Sequence, residues 1–468
     1  ILVGFASYGI GHFVLRGFPN SADEHAYLFQ AQLFSEGRLW IPAHPKQEFL
    51  SPFYIFTHEG KVFSLFPPGW PLILAVGVLL GIPDWVNPLL GGISLWIVFA
   101  IANRLWGRRP AWISVGLLIF SPFYLFNNAS FFSHPVCLLA ILSTIWALLG
   151  WERTTVANYA FFAGLTASFS FAIREYTTIL VLTVPILGVF WNTGDKRKYL
   201  FYFFLGVLPL LLFCLYNNRA LTGNMWIPAR FLQPSEWLGF GDREIRVFDY
   251  REIQHYGWSD GIHHLLENGK RLFIWTLPGL PFMAFLGGWM KRQQRWDRYF
   301  YLSIFLLMAG YLLYPSDGGN QYGPRFYYES LVYLIFCSIP AWQWIGRRLS
   351  GYPWNAILLG LLILFELWVF VDRGTFFRRQ IYQRTALYRL VEFQKIHQAI
   401  VFVASPSGDM TQGDLIRNPV SLQDADVIYA WNLGDRNREL AEFFPHRIYY
   451  LFRRDSQSGF MVLQRLSL

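Results

Sequence analysis

The feature that most constrains this chain is a succession of apolar runs separated by short linkers rich in Lys and Arg. A helix rises about 1.5 Å per residue, so roughly 20 apolar residues cross the ~30 Å hydrocarbon layer of a membrane. Such runs fall near 85–106, 110–126, 133–151, 157–172, 176–192, 199–217, 272–290, 297–314, 326–346 and 354–371. Ile1–Leu15 is too short for a full span, so the first helix is expected to begin before Ile1. With that helix included, the reading is a mostly α polytopic membrane protein with about 11 transmembrane helices. The two runs flanking Arg174 are short and read equally as one broken helix pair. Composition agrees, at 54% hydrophobic and 15% charged with a mean hydropathy of +0.30. A soluble domain carries about a quarter charged residues.

The linkers orient the chain. Arg104-Leu-Trp-Gly-Arg-Arg109, Asp195-Lys-Arg-Lys198, Lys291-Arg-Gln-Gln-Arg295 and Arg347-Arg348 are net basic, as cytoplasmic loops are; Trp151-Glu-Arg153 contributes little. Alternation then places 16–68, the 127–133 turn, Arg174, the long 217–271 loop and 315–325 on the other side. The net charge of +9 belongs to these linkers, and no nucleic-acid partner is expected. Cys137, Cys214 and Cys337 all lie within apolar runs, which argues against a disulfide framework or a cysteine-built zinc site.

From about Asp372 the composition changes. Arg373, Arg378, Arg379 and Arg384 punctuate a polar helix, and four β-like runs follow: 399–403, 426–430, 447–451 and 460–463. The expected division is a membrane domain, 1–372, and a soluble non-cytoplasmic α/β domain, 373–468. The latter has no glycine-rich nucleotide fingerprint, which favours fold support or acceptor docking over chemistry.

Within the first external segment, Asp23 and Glu24 open a helical pattern in which Ala26, Tyr27, Phe29, Leu33 and Phe34 recur at a spacing near 3.6. Such a helix suits a membrane surface, with the acids at the water boundary. The same residues also fit a capping box, Ser21 as N-cap and Glu24 reaching back to its amide. Both readings of the pair stand on the sequence alone. Three further features share its side of the membrane. Phe66-Pro-Pro-Gly-Trp-Pro71 is a rigid aromatic turn and an ordinary helix start. Ile173-Arg-Glu175 sets charges between two apolar stretches, a functional site by default or a self-neutralised pair. Gly318-Gly-Asn-Gln-Tyr-Gly-Pro-Arg-Phe-Tyr-Tyr-Glu329 combines close-approach glycines, the Arg325 guanidinium and a wall of tyrosines, or is simply an interfacial aromatic loop.

A carboxylate, several cations and an aromatic groove beside lipid are the parts needed to transfer a sugar from a polyprenyl phosphate. The carboxylate deprotonates the acceptor hydroxyl, which attacks the anomeric carbon opposite the leaving phosphate. Phosphate leaves well, so the site needs cations rather than the acid of a glycosidase. Arg174 and Arg325 are the first candidates for the phosphate, with Lys61, Arg230 and Lys270 behind them.

In their order and common sidedness these motifs resemble the GT-C membrane glycosyltransferases, and most nearly the phospholipid-carrier-dependent enzymes related to protein O-mannosyltransferases and aminoarabinose transferases. The resemblance covers most of the membrane part and, loosely, the C-terminal domain. It implies Asp23 as catalytic base with Glu24 beside it, and inverting transfer from a polyprenyl-phosphate sugar to a lipid, glycan or protein hydroxyl. It places this on the outer or periplasmic face of a bacterial cell membrane. Tyr27, His134, Glu175, Tyr322 and Glu329 complete the set expected to touch substrate. The chain departs from the pattern at Ser133-His134, where relatives can carry a second acid. Glu329 offers such an acid or pairs with Arg325.

His255, His263 and His264 with Asp242, Glu244, Asp249, Glu252 and Asp260 are side chains from which a divalent metal site could be assembled. Their spacing matches no metal motif such as H-E-x-x-H, so the loop reads as solvated and helical and no metal or cofactor is expected. The competing functions are a transporter or flippase of lipid-linked glycan, and a non-catalytic scaffold for envelope assembly. A transporter calls for repeated, interrupted helices, a pattern not seen here. A scaffold has no use for Asp23 or Arg325.

Overall fold

A computed structural model describes residues 2–232, 238–247, 250–290, 295–319, 321–348, 354–404, 415–454 and 461–467. The 291–294 part of one basic linker, and Asp249, Asn320 and Phe460, lie outside the described residues.

The chain is mostly helical with a small sheet region. α1 (Leu2–Gly9) runs into a π turn, Ile10–Val14. α2 (Ala22–Ser35) is followed by a three-stranded sheet, β1 (Ile41–Pro42), β2 (Ile55–His58) and β3 (Lys61–Ser64), in the order β1-β3-β2. Instead of lying open on a membrane surface, α2 is covered by protein: Glu24, His25 and Gln30 are buried along with Tyr27, Phe29 and Leu33. The sheet accounts for this, because Ile55 and Val62 pack on Ala26, Phe29 and Leu33. Gln30 donates to the Leu39 carbonyl at 2.9 Å and accepts the Ser64 N–H at 3.0 Å, which satisfies the polar face.

α3 (Gly69–Leu79), α4 (Val86–Trp106), α5 (Arg108–Ile119), α6 (Pro122–Asn128), α7 (His134–Thr154), α8 (Ala157–Ile173), α9 (Glu175–Asn192) and α10 (Lys196–Thr222) follow. Residues 83–106, α7, α9 and α10 are long and apolar enough to cross a membrane. α10 begins where Asp195 accepts the Lys198 N–H at 3.0 Å and ends at Gly223 in a left-handed conformation. Its outer face leaves Phe201, Phe204, Leu208 and Leu212 exposed.

The 217–271 loop departs from the helical expectation. It forms a hairpin of β4 (Gly241–Val247) and β5 (Tyr250–Tyr256), then α11 (Trp258–Trp275). The strand period is present in Arg-Glu-Ile-Arg-Val and Tyr-Arg-Glu-Ile-Gln, but the charges obscure it. α12 (Leu280–Met290), α13 (Arg295–Tyr311), α14 (Leu331–Arg348), α15 (Trp354–Arg384) and α16 (Ala386–Phe393) complete the helical part. α5 and α6 meet at 66° beside Ser121-Pro122, and α11 and α12 at 95° around Leu277-Pro-Gly279. Counting each bent pair as one span gives six membrane-crossing candidates among the described residues, against the expected 11 or so. With the bent pairs already counted, the difference comes from expected spans whose helices are short, Leu2–Val14 and α8 among them.

The basic linkers gather at one end. Arg153 donates to the Arg104 carbonyl at 2.6 Å, and Arg295 pairs with Glu152 at 2.9 Å. The opposite ends of α7, α8, α9, α13 and α14 carry the site residues described below.

The C-terminal unit has β6 (Ala399–Ala404), β7 (Val427–Asn432), α17 (Asn437–Ala441), β8 (Ile448–Arg454) and β9 (Met461–Leu466). The sheet order is β7-β6-β8-β9, parallel except for β9, and each strand falls on one of the four β-like runs. α15 continues without interruption from the membrane part past Arg373 to Arg384. On β6 alternate residues serve two cores: Ala399, Val401 and Val403 meet Leu387 and Val391, while Ile400 and Phe402 meet Phe49 and Leu50 of the first long loop. Lys46–Glu439 at 2.6 Å and the Trp431 Nε1–H donated to the Ser51 carbonyl at 2.9 Å tie the loop down.

Candidate active site

The site begins with the turn between α6 and α7. Trp70 Nε1–H donates to the Phe131 carbonyl at 2.8 Å, and Asn87 Nδ2 donates to the Ser130 and Phe132 carbonyls at 2.7 and 2.9 Å. Glu24 Oε1 accepts the Phe131 N–H at 2.9 Å. Every one of these contacts is buried, so Phe132 is held in one place. The Pro-Pro-Gly-Trp turn thereby has a defined task. Its Gly69 lies so close to the end of α8 that a Cβ would stand 2.7 Å from the Ala172 carbonyl oxygen, next to Arg174. Arg174 itself is the single non-helical residue between α8 and α9 (φ −149°, ψ 85°), the break anticipated from the sequence.

Asp23 and Glu24 have opposite surroundings. The Ser21 hydroxyl accepts the Glu24 N–H at 3.2 Å, so Ser21 is the N-cap. Glu24 returns to it through the hydroxyl, which donates to Oε2 at 3.1 Å, rather than through the Ser21 amide as a full capping box requires. Glu24 is 1% exposed, and burial pushes its carboxyl up to about 7 despite the lowering by the Phe131 N–H and Ser21. Asp23 instead points outward and pairs through Oδ2 with Arg325 Nη1 at 3.0 Å. Arg325 is carried on a loop shaped by Gly323 (φ +96°), where a Cβ would meet the Phe123 ring at 2.6 Å. Its guanidinium lies 4.6 Å from the centre of the Phe132 ring and 5.7 Å from that of Phe326.

Two cavities meet at this ion pair. The first, about 300 Å³, is lined by Asp23, Tyr27, Phe66, His134, Arg174, Glu175, Arg230, Tyr311, Arg325 and Phe326, among others. The second, about 520 Å³, also reaches Asp23 and Arg325, and then Gly318, Gly319, Gln321, Arg373, Gln380 and Arg384. An apolar groove of about 280 Å³ shares Leu65, Phe66, Pro67, Glu175, Tyr176 and Arg230 with the first cavity and runs on past Phe171, Ile179 and Phe231.

Arg174, Arg230 and Arg325 of the first cavity each have a carboxylate. Besides Asp23–Arg325, Glu175 pairs with Arg230 at 3.3 Å and Glu329 with Arg174 at 3.2 Å. Glu329 is fully buried, and the Oε1 that meets Arg174 also meets His134 Nδ1 at 3.0 Å. Arg174 donates to the Tyr311 hydroxyl at 3.1 Å. The Tyr27 hydroxyl is 3.2 Å from Ser133 Oγ; burial, then the Asp23 charge, push it up to about 12, so it acts as a neutral hydrogen-bonding group.

Of the residues singled out in the sequence, Asp23, Tyr27, His134, Arg174, Glu175 and Arg325 thus line one cavity. Glu24, Lys61, Tyr322 and Glu329 line neither. Glu24 is committed to its cap and turn, and Glu329 lies behind Arg174 and His134 rather than against Arg325. Lys61 donates to the Ala220 carbonyl at 2.8 Å. Tyr322 is fully buried against Phe132 and Phe377. Lys270 pairs with Glu267 at the surface, at 2.6 Å.

Arg230, ranked lower, belongs to the first cavity, joined by Arg243 and Gln254 of the β4–β5 hairpin. The latter two carried no signal beyond the strand period, and Arg373 and Arg384 were visible only as part of a basic polar helix. Among the described residues no three His, Cys, Asp or Glu side chains gather where they would hold a metal ion.

No protein-family model matches this chain, and no curated protein sequence matches it. What the comparison with solved structures shows is a shared fold. The chain is similar to ArnT from Cupriavidus metallidurans in the apo state, with a TM-score of 0.57 and 12% identity over 96% of this chain and 91% of that one. The same ArnT bound to undecaprenyl phosphate gives a TM-score of 0.56, 12% identity and the same coverage, 96% and 91%.

Proposed function

We propose that this chain is an inverting glycosyltransferase that moves a sugar from a polyprenyl-phosphate donor to an acceptor hydroxyl. The observation that carries the reading is the first cavity: a carboxylate at its mouth, guanidinium groups around it, and an apolar groove leading out of it. The fold shared with a protein crystallised with undecaprenyl phosphate supports it.

In this reading the isoprenoid lies along the groove by Ile179 and Phe231, and its phosphate reaches Arg174, Arg230 and Arg325. Tyr27 and His134 face the sugar. Glu329 orients His134 and Arg174, while Glu24 keeps the Phe131 turn in register. The acceptor enters from the second cavity. Asp23 takes the proton of its hydroxyl, and the oxygen bonds to the anomeric carbon from the face opposite the phosphate. The bond from that carbon to the phosphate oxygen breaks, and the electron pair leaves with polyprenyl phosphate. The departing monoester has a second pKa of about 6, so arginines suffice and no general acid is required. The site and the C-terminal sheet face away from the cytoplasm, since the basic linkers collect at the opposite end of the helices.

The test is transfer of radiolabelled sugar from a panel of polyprenyl-phosphate sugars into membrane extract, comparing wild type with Asp23→Asn. Loss of a general base lowers the rate by about 10²–10⁴-fold. Asparagine preserves size, and the helix cap is Ser21, so the variant should fold. Undiminished transfer by a folded Asp23→Asn protein would remove Asp23 from the role of base.

A further inference from the structure

Arg325 stands where the two cavities meet, and it has two working edges. Nη1 holds the Asp23 carboxylate at 3.0 Å. Nε is buried and has no hydrogen-bond partner among the described residues, which is costly for a guanidinium N–H unless a ligand oxygen completes it. The side chain is partly open, 15% exposed, and the Phe132 and Phe326 rings near its guanidinium limit its path. Asp23 is 18% exposed and reaches both cavities.

We infer that Arg325 is a shared cation coupling the two substrate sites: one edge holds the base, the other takes the donor's phosphate, and phosphate binding loosens the hold on Asp23. The inference rests on the donor reading above and adds regulation to it. With the donor cavity empty, Asp23 is the anion against Arg325, and an acceptor hydroxyl must compete with a charge-assisted hydrogen bond for its oxygen. A seated phosphate shares the guanidinium, and the acceptor then finds a freer carboxylate. During reaction the charges move in step. Asp23 becomes neutral on taking the proton, while the phosphate gains negative charge as its bond to the sugar breaks, so Arg325 passes from one anion to the other without leaving its place. Coupling of this kind is reciprocal: whatever weakens the Arg325–Asp23 contact must tighten phosphate binding.

The experiment is a binding titration of the purified full chain with polyprenyl phosphate alone, which requires neither the sugar nor the acceptor to be known. Four proteins are compared: wild type, Asp23→Asn, Arg325→Gln and the double variant, each checked for folding by thermal melting. Asp23→Asn should tighten phosphate binding about five- to tenfold, the low end of ordinary coupling between sites. Arg325→Gln should weaken it about tenfold or more. In the Arg325→Gln background the effect of Asp23→Asn should vanish. Arg325→Lys keeps the charge without the fork and should bind weakly, with little response to Asp23→Asn.

Unchanged or weaker binding in Asp23→Asn overturns the proposal. So does tightening that persists undiminished without Arg325, since that is plain repulsion between Asp23 and phosphate. Either result leaves the donor reading intact if wild type binds the lipid. If wild type binds no polyprenyl phosphate, the donor reading falls, and the coupling with it.

Discussion

The two cavities at Asp23 are built from different materials. The first is aromatic and ion-paired, each of Arg174, Arg230 and Arg325 facing a carboxylate, and it opens into an apolar groove. The second sets Gly318, Gly319, Gln321 and Gln380, with Arg373 and Arg384 of α15, beside the rings of Trp275, Phe376 and Phe377. Paired arginines in a confined aromatic setting keep a fixed geometry, which suits a ligand whose charged group must be held while its bond breaks. Backbone and amide groups around a wider space suit a ligand held by hydrogen bonds. The contrast teaches that one acid in a shared wall can border two spaces of different character.

The strongest way to break this contrast is to remove Glu329. Glu329→Ala leaves Arg174 buried without its carboxylate and frees His134, which should cost about 3–5 kcal/mol of stability and abolish transfer. Melting curves and the transfer assay measure both, and a stable, active variant would show that the first cavity does not depend on its buried pair.

The wall itself is tested at Glu24. Its carboxyl is raised from 4.5 to about 7 in the folded protein, so the native state binds the proton more tightly than the unfolded chain. Stability from this group is full below about pH 4.5, falls as pH rises and levels off above about 7, a loss of about 3 kcal/mol. Glu24→Gln should flatten that part of the stability–pH profile in denaturant melts. A profile unchanged by the substitution would mean the acid's proton is not linked to folding.

A smaller effect sharpens the difference between the cavities. Ile179→Trp narrows the groove that opens from the first cavity. It should raise the KM for a long-chain donor several-fold, about 1 kcal/mol of lost binding, and leave a short-chain donor unaffected. Equal effects on both chain lengths would remove the groove from the lipid path.

Much of the site was legible because its chemistry leaves marks on a sequence. Arg174 shows as a charge between two apolar runs, Asp23 as an acid at a helix start, and Arg325 within a glycine-rich turn. The four C-terminal strands were readable from their apolar runs. Other features left no mark. Asp23 and Glu24 are adjacent and chemically alike, and only the direction of each side chain separates a cavity carboxylate from a buried cap. Phe49 and Leu50 sit in a loop of ordinary composition, yet they fill the core under β6, about 350 residues further along the chain. The β4–β5 hairpin was hidden because its residues are charged, which weakens the alternation on which strand recognition rests.

By itself the sequence determined the local quantities: which segments are apolar enough to lie in a membrane, where helices start and stop, and which residue types are at hand for chemistry. These depend on neighbours within one or two turns, so periodicity, caps and breaks reveal them. The tertiary structure decided partnership: which arginine faces which carboxylate, that Asp23 borders two cavities, and that Glu24 stands in the wall behind it. Such contacts join residues hundreds of positions apart, and burial and hydrogen-bond satisfaction act on the folded whole rather than on any stretch of chain.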